Sequence, residues 1–290
     1  NSEPNSSKAC TPSGSSPSGR RFSAAATARG HVIEMLDADR LSLVFAGSTA
    51  SLTLDGVAVP HYDAIVPRVA GTRRAAAVRQ LELMGGLALN PADAIARLAS
   101  PLETRQALSR AGIAGPDTVL LLTAASSEPV QANPGASNVG RQRTSGPRLE
   151  LTVVGDAVAA AIEVRHGHAS DVGNRALVAA YEVAQRAARA LGLGFATVTL
   201  TGDADVPIVA GVSALPSLTR VEAVTGVRLA EAVVAVIEER VRSWVRREPQ
   251  PATTADLQIL EKADALLADE SSWNRKDDKI CAEDDRSHKW

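Results

Sequence analysis

Few side chains in this sequence are spaced to do chemistry. His166 and His168 stand two apart, and on an extended chain both rings would face one side, a spacing that suits a metal ion. Two ligands are too few, and no third is evident. Ser127 and Ser213 have no histidine in a recognisable nucleophile motif. Gly192-Leu193-Gly194 follows a helical pattern rather than a strand, so it reads as a helix stop and turn, not as a dinucleotide loop. Asp203 and Asp205 read as solvated residues at a hairpin tip. Lysine is confined to Lys8, Lys262, Lys276, Lys279 and Lys289, so residues 20–247 offer none to a phosphate. Two polar residues remain: Arg68, in a loop after the run PHYDAIVP, and Asn90, which Pro91 marks as a helix N-cap.

The elements that would position these residues belong to an α/β protein. Apolar residues make up 45% of the chain but aromatics only 3%, so the core must be built from Ala, Val and Leu. A formal net charge of −2 gives no reason to expect a nucleic-acid partner. Arg240, Arg242, Arg246 and Arg247 lie along one helix and read as a solvated face. Cys10 and Cys281 fall in polar segments, which suits a reducing cytoplasm. No apolar run approaches the roughly 20 residues that span a bilayer, and the N-terminus has no signal-peptide h-region. A soluble, cytoplasmic protein with no membrane partner is expected.

Residues 1–19, dominated by Ser, Pro, Gly and Asn, are expected to be disordered. A helix is expected over 22–29, a strand over 31–36, a hairpin over 51–59 turning at Asp55–Gly56, and a strand over 63–66. Helices follow over 74–84, after Asn90 and over 101–111, with a buried strand at 87–89. After a strand at 118–123, residues 124–147 lose all periodicity and read as a flexible loop. A second run has strands over 149–154, 157–164, 195–200 and 206–209. Its helices cover 174–191 and 229–245, the latter with Leu229, Val233, Val236, Ile237 and Trp244 inward. Residues 248–290 read as a linker and a charged helical tail.

The segments RGHVIEMLDADR, PHYDAIVPRV, AVRQLELMGGLALN and LSRAGI resemble, in order and spacing, the N-terminal domain of RimK-like proteins. Those are ATP-grasp ligases that join glutamate to a carboxylate. Downstream, LELTVVGDAVAAAIEVR, RAARALGLGFATVTL and VEAVTGVRLAEAVVAVIEE resemble the C-terminal part of the same family. The resemblance implies ATP-dependent carboxylate activation, with lysines on phosphate, a Gly-rich cover and carboxylates on Mg²⁺.

The family's first ATP lysine falls on Ser100–Pro101. Its second lysine and Gly-rich loop would lie within 124–147, a stretch far too short for that subdomain. Its strand arginine falls on Glu150, its metal aspartate on Thr199, and its Glu-Val-Asn set on Gly211, Val212 and Ser213. Pro216 is kept, while the glycine after it is Ser217. The resemblance makes Arg68 and Asn90 candidates for contact with an acceptor carboxylate. It leaves the wall around Thr199 and Gly211 small and nearly neutral.

The expected architecture is α/β: a pre-ATP-grasp-like domain (20–123), a loop replacing the ATP-binding subdomain (124–147), an ATP-grasp remnant (148–247) and a helical tail (248–290). The expected function is an inactive RimK-like scaffold with no cofactor that acts by binding a protein partner or a second copy. One alternative is an active carboxylate–amine ligase using ATP and Mg²⁺. Another is a rearranged or decaying gene product.

Overall fold

A computed structural model of the 290-residue chain describes residues 8–11, 16–116, 119–120, 129–130, 147–172, 177–202 and 207–245. Its N-terminal part is a parallel sheet. Strand β1 (Lys8–Thr11) leads to helix α1 (Pro17–Ala28) and β2 (Val32–Met35). A hairpin layer follows, β3 (Leu41–Ala46), β4 (Thr49–Leu54) and β5 (Val57–Ala58). Then come β6 (Ala64–Ile65), α2 (Thr72–Leu83), β7 (Leu87–Ala88), α3 (Ala92–Ala99) and α4 (Pro101–Arg110). The parallel sheet runs β2-β1-β6-β7, with Cys10 opposite both Glu34 and Ile65.

Within the stretch 1–19 expected to be disordered, residues 8–11 and 16–19 are ordered, while residues 1–7 and 12–15 lie outside the described residues. β1 pairs on both sides, and α1 starts at Pro17 with the Ser16 hydroxyl accepting from the Gly19 N–H at 3.0 Å. A central parallel strand is held by backbone bonds to two neighbours. Four residues of mixed type carry no periodic signature of that. β3 is a second strand that the sequence reading missed. The turn at Asp55–Gly56 is as expected: both residues have positive φ, 51° and 83°, as a two-residue hairpin requires.

The C-terminal part is an antiparallel sheet ordered β12-β11-β10-β13-β14. Its strands are β10 (Arg148–Val154), β11 (Ala157–Arg165), β12 (His168–Asp171), β13 (Phe195–Thr201) and β14 (Ile208–Ser213). A separate short pair, β8 (Val119–Leu120) and β9 (Pro129–Val130), sets a strand inside the stretch expected to be a loop. The remainder of 124–147 up to residue 146, Asp203, Asp205 and the tail lie outside the described residues. Helix α5 (Val178–Leu191) covers one sheet face, with Ala180, Ala184, Ala187 and Ala188 packed on Leu151, Val153, Val198 and Leu200. Small helix residues let α5 approach the sheet closely, which is how an aromatic-poor chain fills a core.

The other face carries Val154, Ala160, Ile162, Val164 and Phe195. It receives α1 through Phe22, α6 (Leu218–Thr225) and α7 (Leu229–Val245). Phe22 and Phe195 meet edge to face with centroids 6.3 Å apart. On α7, Leu229, Val233 and Ile237 are buried as expected, but Trp244 is exposed. Arg240 departs from the expected solvated face, whereas Arg242 is exposed as expected and Arg246 and Arg247 lie outside the described residues. Arg240 donates to the Leu89 carbonyl at 3.3 Å, while Arg242 pairs with Glu238 and Glu239.

Glu238 ties α7 to the end of α1. Its carboxylate accepts from Arg29 Nε and Nη2 at 2.7 and 2.6 Å and meets His31 Nε2 at 2.6 Å. Chiefly the Arg29 hydrogen bonds, with help from His31, lower its pKa from an ordinary 4.5 to about 2. A lowered folded pKa gives stability that is complete above the unfolded value and lost as pH falls through the folded one. Glu238→Gln should therefore cost roughly 1–2 kcal/mol at neutral pH, discounted because Arg29 is exposed. The variant should also flatten the acid limb of the stability curve between about pH 4.5 and 2. Urea unfolding across that range checks it.

Candidate functional site

In the parallel sheet the chain goes from β1 to β2 on one side and later to β6 on the other. The strand order therefore reverses between β1 and β6, and the carboxyl ends of those strands frame the crevice where open α/β sheets take ligands. Arg68 lies three residues beyond β6. Its guanidinium carbon sits 5.6 Å from the centroid of Phe195, and its Nη1 is buried without a hydrogen-bond partner. Burial pushes its pKa down to about 10, which leaves it charged at neutral pH. A cavity of about 30 Å³ lies beside it against Leu36, Ile65, Val78 and Leu81.

Asn90 proves not to be a helix cap. Pro91 occupies the cap position of α3, which has no side-chain cap. The fully buried Asn90 amide turns to the start of β13 instead. Oδ1 accepts from the N–H groups of Gly194 and Phe195 at 2.9 and 2.8 Å, and Nδ2 donates to the Phe195 carbonyl at 2.7 Å. Gly194 is needed here because a Cβ would stand 2.5 Å from the Leu89 carbonyl oxygen. Asn90 thus joins the end of the parallel sheet to the antiparallel one.

Strand register assembles the other singled-out positions. Glu150 lies opposite Thr199, and Thr199 opposite Gly211, in one row across β10, β13 and β14. The next row holds Thr152, Thr197 and Ser213. Glu150 is mostly buried and ion-paired with Arg148 Nε at 3.2 Å and, more closely, with Arg220 on α6. The Thr152 hydroxyl and Arg220 Nε are buried without partners. So this wall is not nearly neutral, as the sequence suggested: arginines from β10 and α6 surround its carboxylate. Arg220 was missed because nothing in the sequence links α6 to β10.

The remaining candidates are dispersed. The Ser100 hydroxyl caps α4, accepting from the Glu103 N–H at 3.3 Å ahead of Pro101. The Ser213 hydroxyl accepts from the Leu215 N–H at 3.1 Å. His166 has a φ of 49° and sits in the turn before β12, so the pair does not share an extended strand. Among the described residues no three His, Cys, Asp or Glu side chains gather to hold a metal. No described helix is long and apolar enough to cross a membrane.

Known proteins resemble this chain in sequence and in fold. Residues 11–95 match the RimK PreATP-grasp domain. A probable alpha-L-glutamate ligase of Xanthomonas oryzae pv. oryzae is 34% identical over 277 residues, covering 77% of this chain and 94% of the relative. This chain belongs to the RimK-like ATP-grasp ligase family. A Stenotrophomonas maltophilia relative of the same description is 31% identical over 76% of this chain and 94% of its own length. In fold, the RimK-domain ATP-grasp protein of Sphaerobacter thermophilus superposes with a TM-score of 0.62 at 19% identity, over 80% of this chain and 99% of its own. The D-alanine–D-alanine ligase of Coxiella burnetii gives 0.56 at 15% identity, over 83% and 98%.

The family alignment is also uneven. The 277 aligned positions draw on 77% of 290 residues, about 223, so some fifty positions of the Xanthomonas ligase face no residue here. For an active RimK-like ATP-grasp ligase the family implies ATP and Mg²⁺. Three of the positions that the resemblance assigns to phosphate and metal contacts form the cross-strand row Glu150, Thr199 and Gly211.

Proposed function

We propose that this chain is a RimK-like ATP-grasp scaffold without ligase catalysis, which acts by binding a protein partner or a second copy of itself. The observation that carries the reading is the row Glu150–Thr199–Gly211. Mg²⁺ asks for an octahedral set of oxygens, usually one or two carboxylates with phosphate and water. This row holds a single carboxylate, already ion-paired with two arginines. Such a donor set does not fit a magnesium–phosphate clamp. The capped start of α4 at Ser100–Pro101, the absence of lysine from 20–247 and the fifty unmatched positions support the same reading. They fit a chain whose residues 124–147 replace the ATP-binding subdomain.

The names and coverage of the Xanthomonas and Stenotrophomonas relatives favour a second reading, an active carboxylate–amine ligase in which other residues take over these roles. Titration calorimetry of the full chain with ATP, with and without Mg²⁺, separates the two. A scaffold without catalysis should give no Mg²⁺-dependent heat at millimolar nucleotide. A saturable Mg²⁺-dependent isotherm would establish the ligase reading instead.

A further inference from the structure

Among the described residues the hairpin layer is ordered β3-β4-β5, so β3 is an open edge. The groups it presents there follow from its neighbour. The Asp55 N–H donates to the Arg40 carbonyl, and the Leu52 carbonyl accepts from the Val59 N–H on the far side of β4. Leu43 stands opposite Leu52, so it turns its own N–H and C=O away from β4, and by alternation so do Leu41 and Phe45. Edges of this kind are ordinarily blunted by charge, proline or a bulge. The strand LSLVFA has neither charge nor proline, and its register with β4 is unbroken.

The side chains along that edge are only partly seated. Leu41, Leu43 and Phe45 share one face. Leu41 and Leu43 pack on the cluster around Leu52, while Phe45 is 75% exposed. Beside Leu41 and Leu43 lies a cavity of about 730 Å³ that reaches Thr72, Arg73 and Ala77 at the start of α2. One strand edge therefore carries an apolar knob outside the core and, beside Leu41 and Leu43, an unfilled hollow.

We infer that β3 is the surface on which a second copy of this chain docks, strand to strand and antiparallel, with Leu43 on the two-fold axis. Leu43 then faces its own counterpart, and Phe45 of each copy faces Leu41 of the other. Directly opposite residues share a face with Cβ atoms about 4.5–5.5 Å apart, so each Phe45 enters the hollow beside the other copy's Leu41. The outward N–H and C=O groups of Leu41, Leu43 and Phe45 pair across the junction, as in other strand additions. A second copy fits because knob, hollow and open backbone groups lie on one strand at spacings that a two-fold axis maps onto each other. The charges agree as well. Arg40, already paired with Asp55, and Asp39, paired with Arg74, would meet the uncharged Ala46–Gly47 end of the other strand. Two phenylalanines of about 150–250 Å² each and a six-residue edge make a small interface, which suits a reversible dimer. The inference rests on the binding role proposed above and names its partner.

Sedimentation velocity of the full chain over a range of about 1–300 µM tests it, with a monomer–dimer Kd expected on the order of 10–100 µM. Phe45→Ser should weaken the dimer roughly tenfold or more and leave the Tm of the monomer unchanged, because the ring is exposed. Hydrogen exchange at low and high concentration gives a second measure. The Leu41, Leu43 and Phe45 amides should gain protection with concentration, while those of Ser42 and Val44, which face β4, should not change. A chain that stays monomeric throughout, an undiminished dimer in Phe45→Ser, or protection of the three amides that ignores concentration overturns the inference. So does a Phe45→Ser monomer that melts lower than the parent, since the ring would then be seated in its own chain. Failure of the reading without catalysis appears separately, as Mg²⁺-dependent ATP heat, and does not alter this equilibrium.

Discussion

Replacing Asn90 with alanine should cost the fold about 3–5 kcal/mol, among the largest effects of any single truncation in this chain. The side chain has no exposure and satisfies three backbone groups, the N–H of Gly194, the N–H of Phe195 and the Phe195 carbonyl. Truncation leaves all three buried, each worth about 1–3 kcal/mol, and the sum is moderated if water enters the gap. Asn90→Asp makes the test specific. One carboxylate oxygen would still accept both N–H groups, but the other would face the Phe195 carbonyl, so the ionised form is destabilised. A carboxyl whose folded pKa is raised loses stability as pH rises, so the Asp variant should recover on acidification and the Ala variant should not. Urea unfolding at neutral and mildly acid pH measures both. A loss under 1 kcal/mol for Asn90→Ala would mean that the two sheets are not joined through this amide.

Asn90 also shows where sequence reasoning stopped. An Asn ahead of a Pro and a helical pattern carries the local signature of a cap, and no local rule announces a partner 105 residues away. The α/β class and most element positions were legible, because helical spacing and turn glycines are local: Gly192 closes α5 in left-handed conformation, whereas α6, which Gly226 closes in the same way, was not expected. β1 was not legible, because the two strands beside it hold it in the sheet and KACT has no period of its own. At the site, Glu150, Thr199 and Gly211 were picked out by resemblance, and register then brought them into one row. What resemblance could not supply was their electrostatics. Glu150 looked like a bare reversal of charge, whereas Arg220 compensates it from α6, 70 residues away.

That compensation makes Glu150→Arg the decisive variant. The substitution restores the residue that the family resemblance expects on β10, so if the catalytic site were otherwise built it should gain phosphate affinity in the presence of Mg²⁺. The structure expects the opposite. The Glu150 side chain is 12% exposed between Arg148 and Arg220, and an arginine there would gather three guanidinium groups with no carboxylate among them. Removing one partner of a buried pair costs about 3–5 kcal/mol, and the exposure of Arg148 and Arg220, near 40% each, reduces this to roughly 2–4 kcal/mol. Adding Arg220→Glu exchanges the two charges and should recover most of the loss, which a double-mutant cycle reads directly. Neither variant should show a Mg²⁺–ATP shift in Tm, because Thr199 and Gly211 still supply no carboxylate. Adding Thr199→Asp and Gly211→Glu completes the test. Gly211 is exposed with open space where its Cβ would lie, so sterics will not mask the result. Thr199→Asp would stand opposite position 150, where an arginine can now pair with it. If that fourfold variant, or Glu150→Arg alone, melts higher with Mg²⁺ and ATP than without, the site lacked only those charges and the scaffold retains a nucleotide cleft. If it does not, restoring these charges is not enough to build a nucleotide site, as the scaffold reading expects.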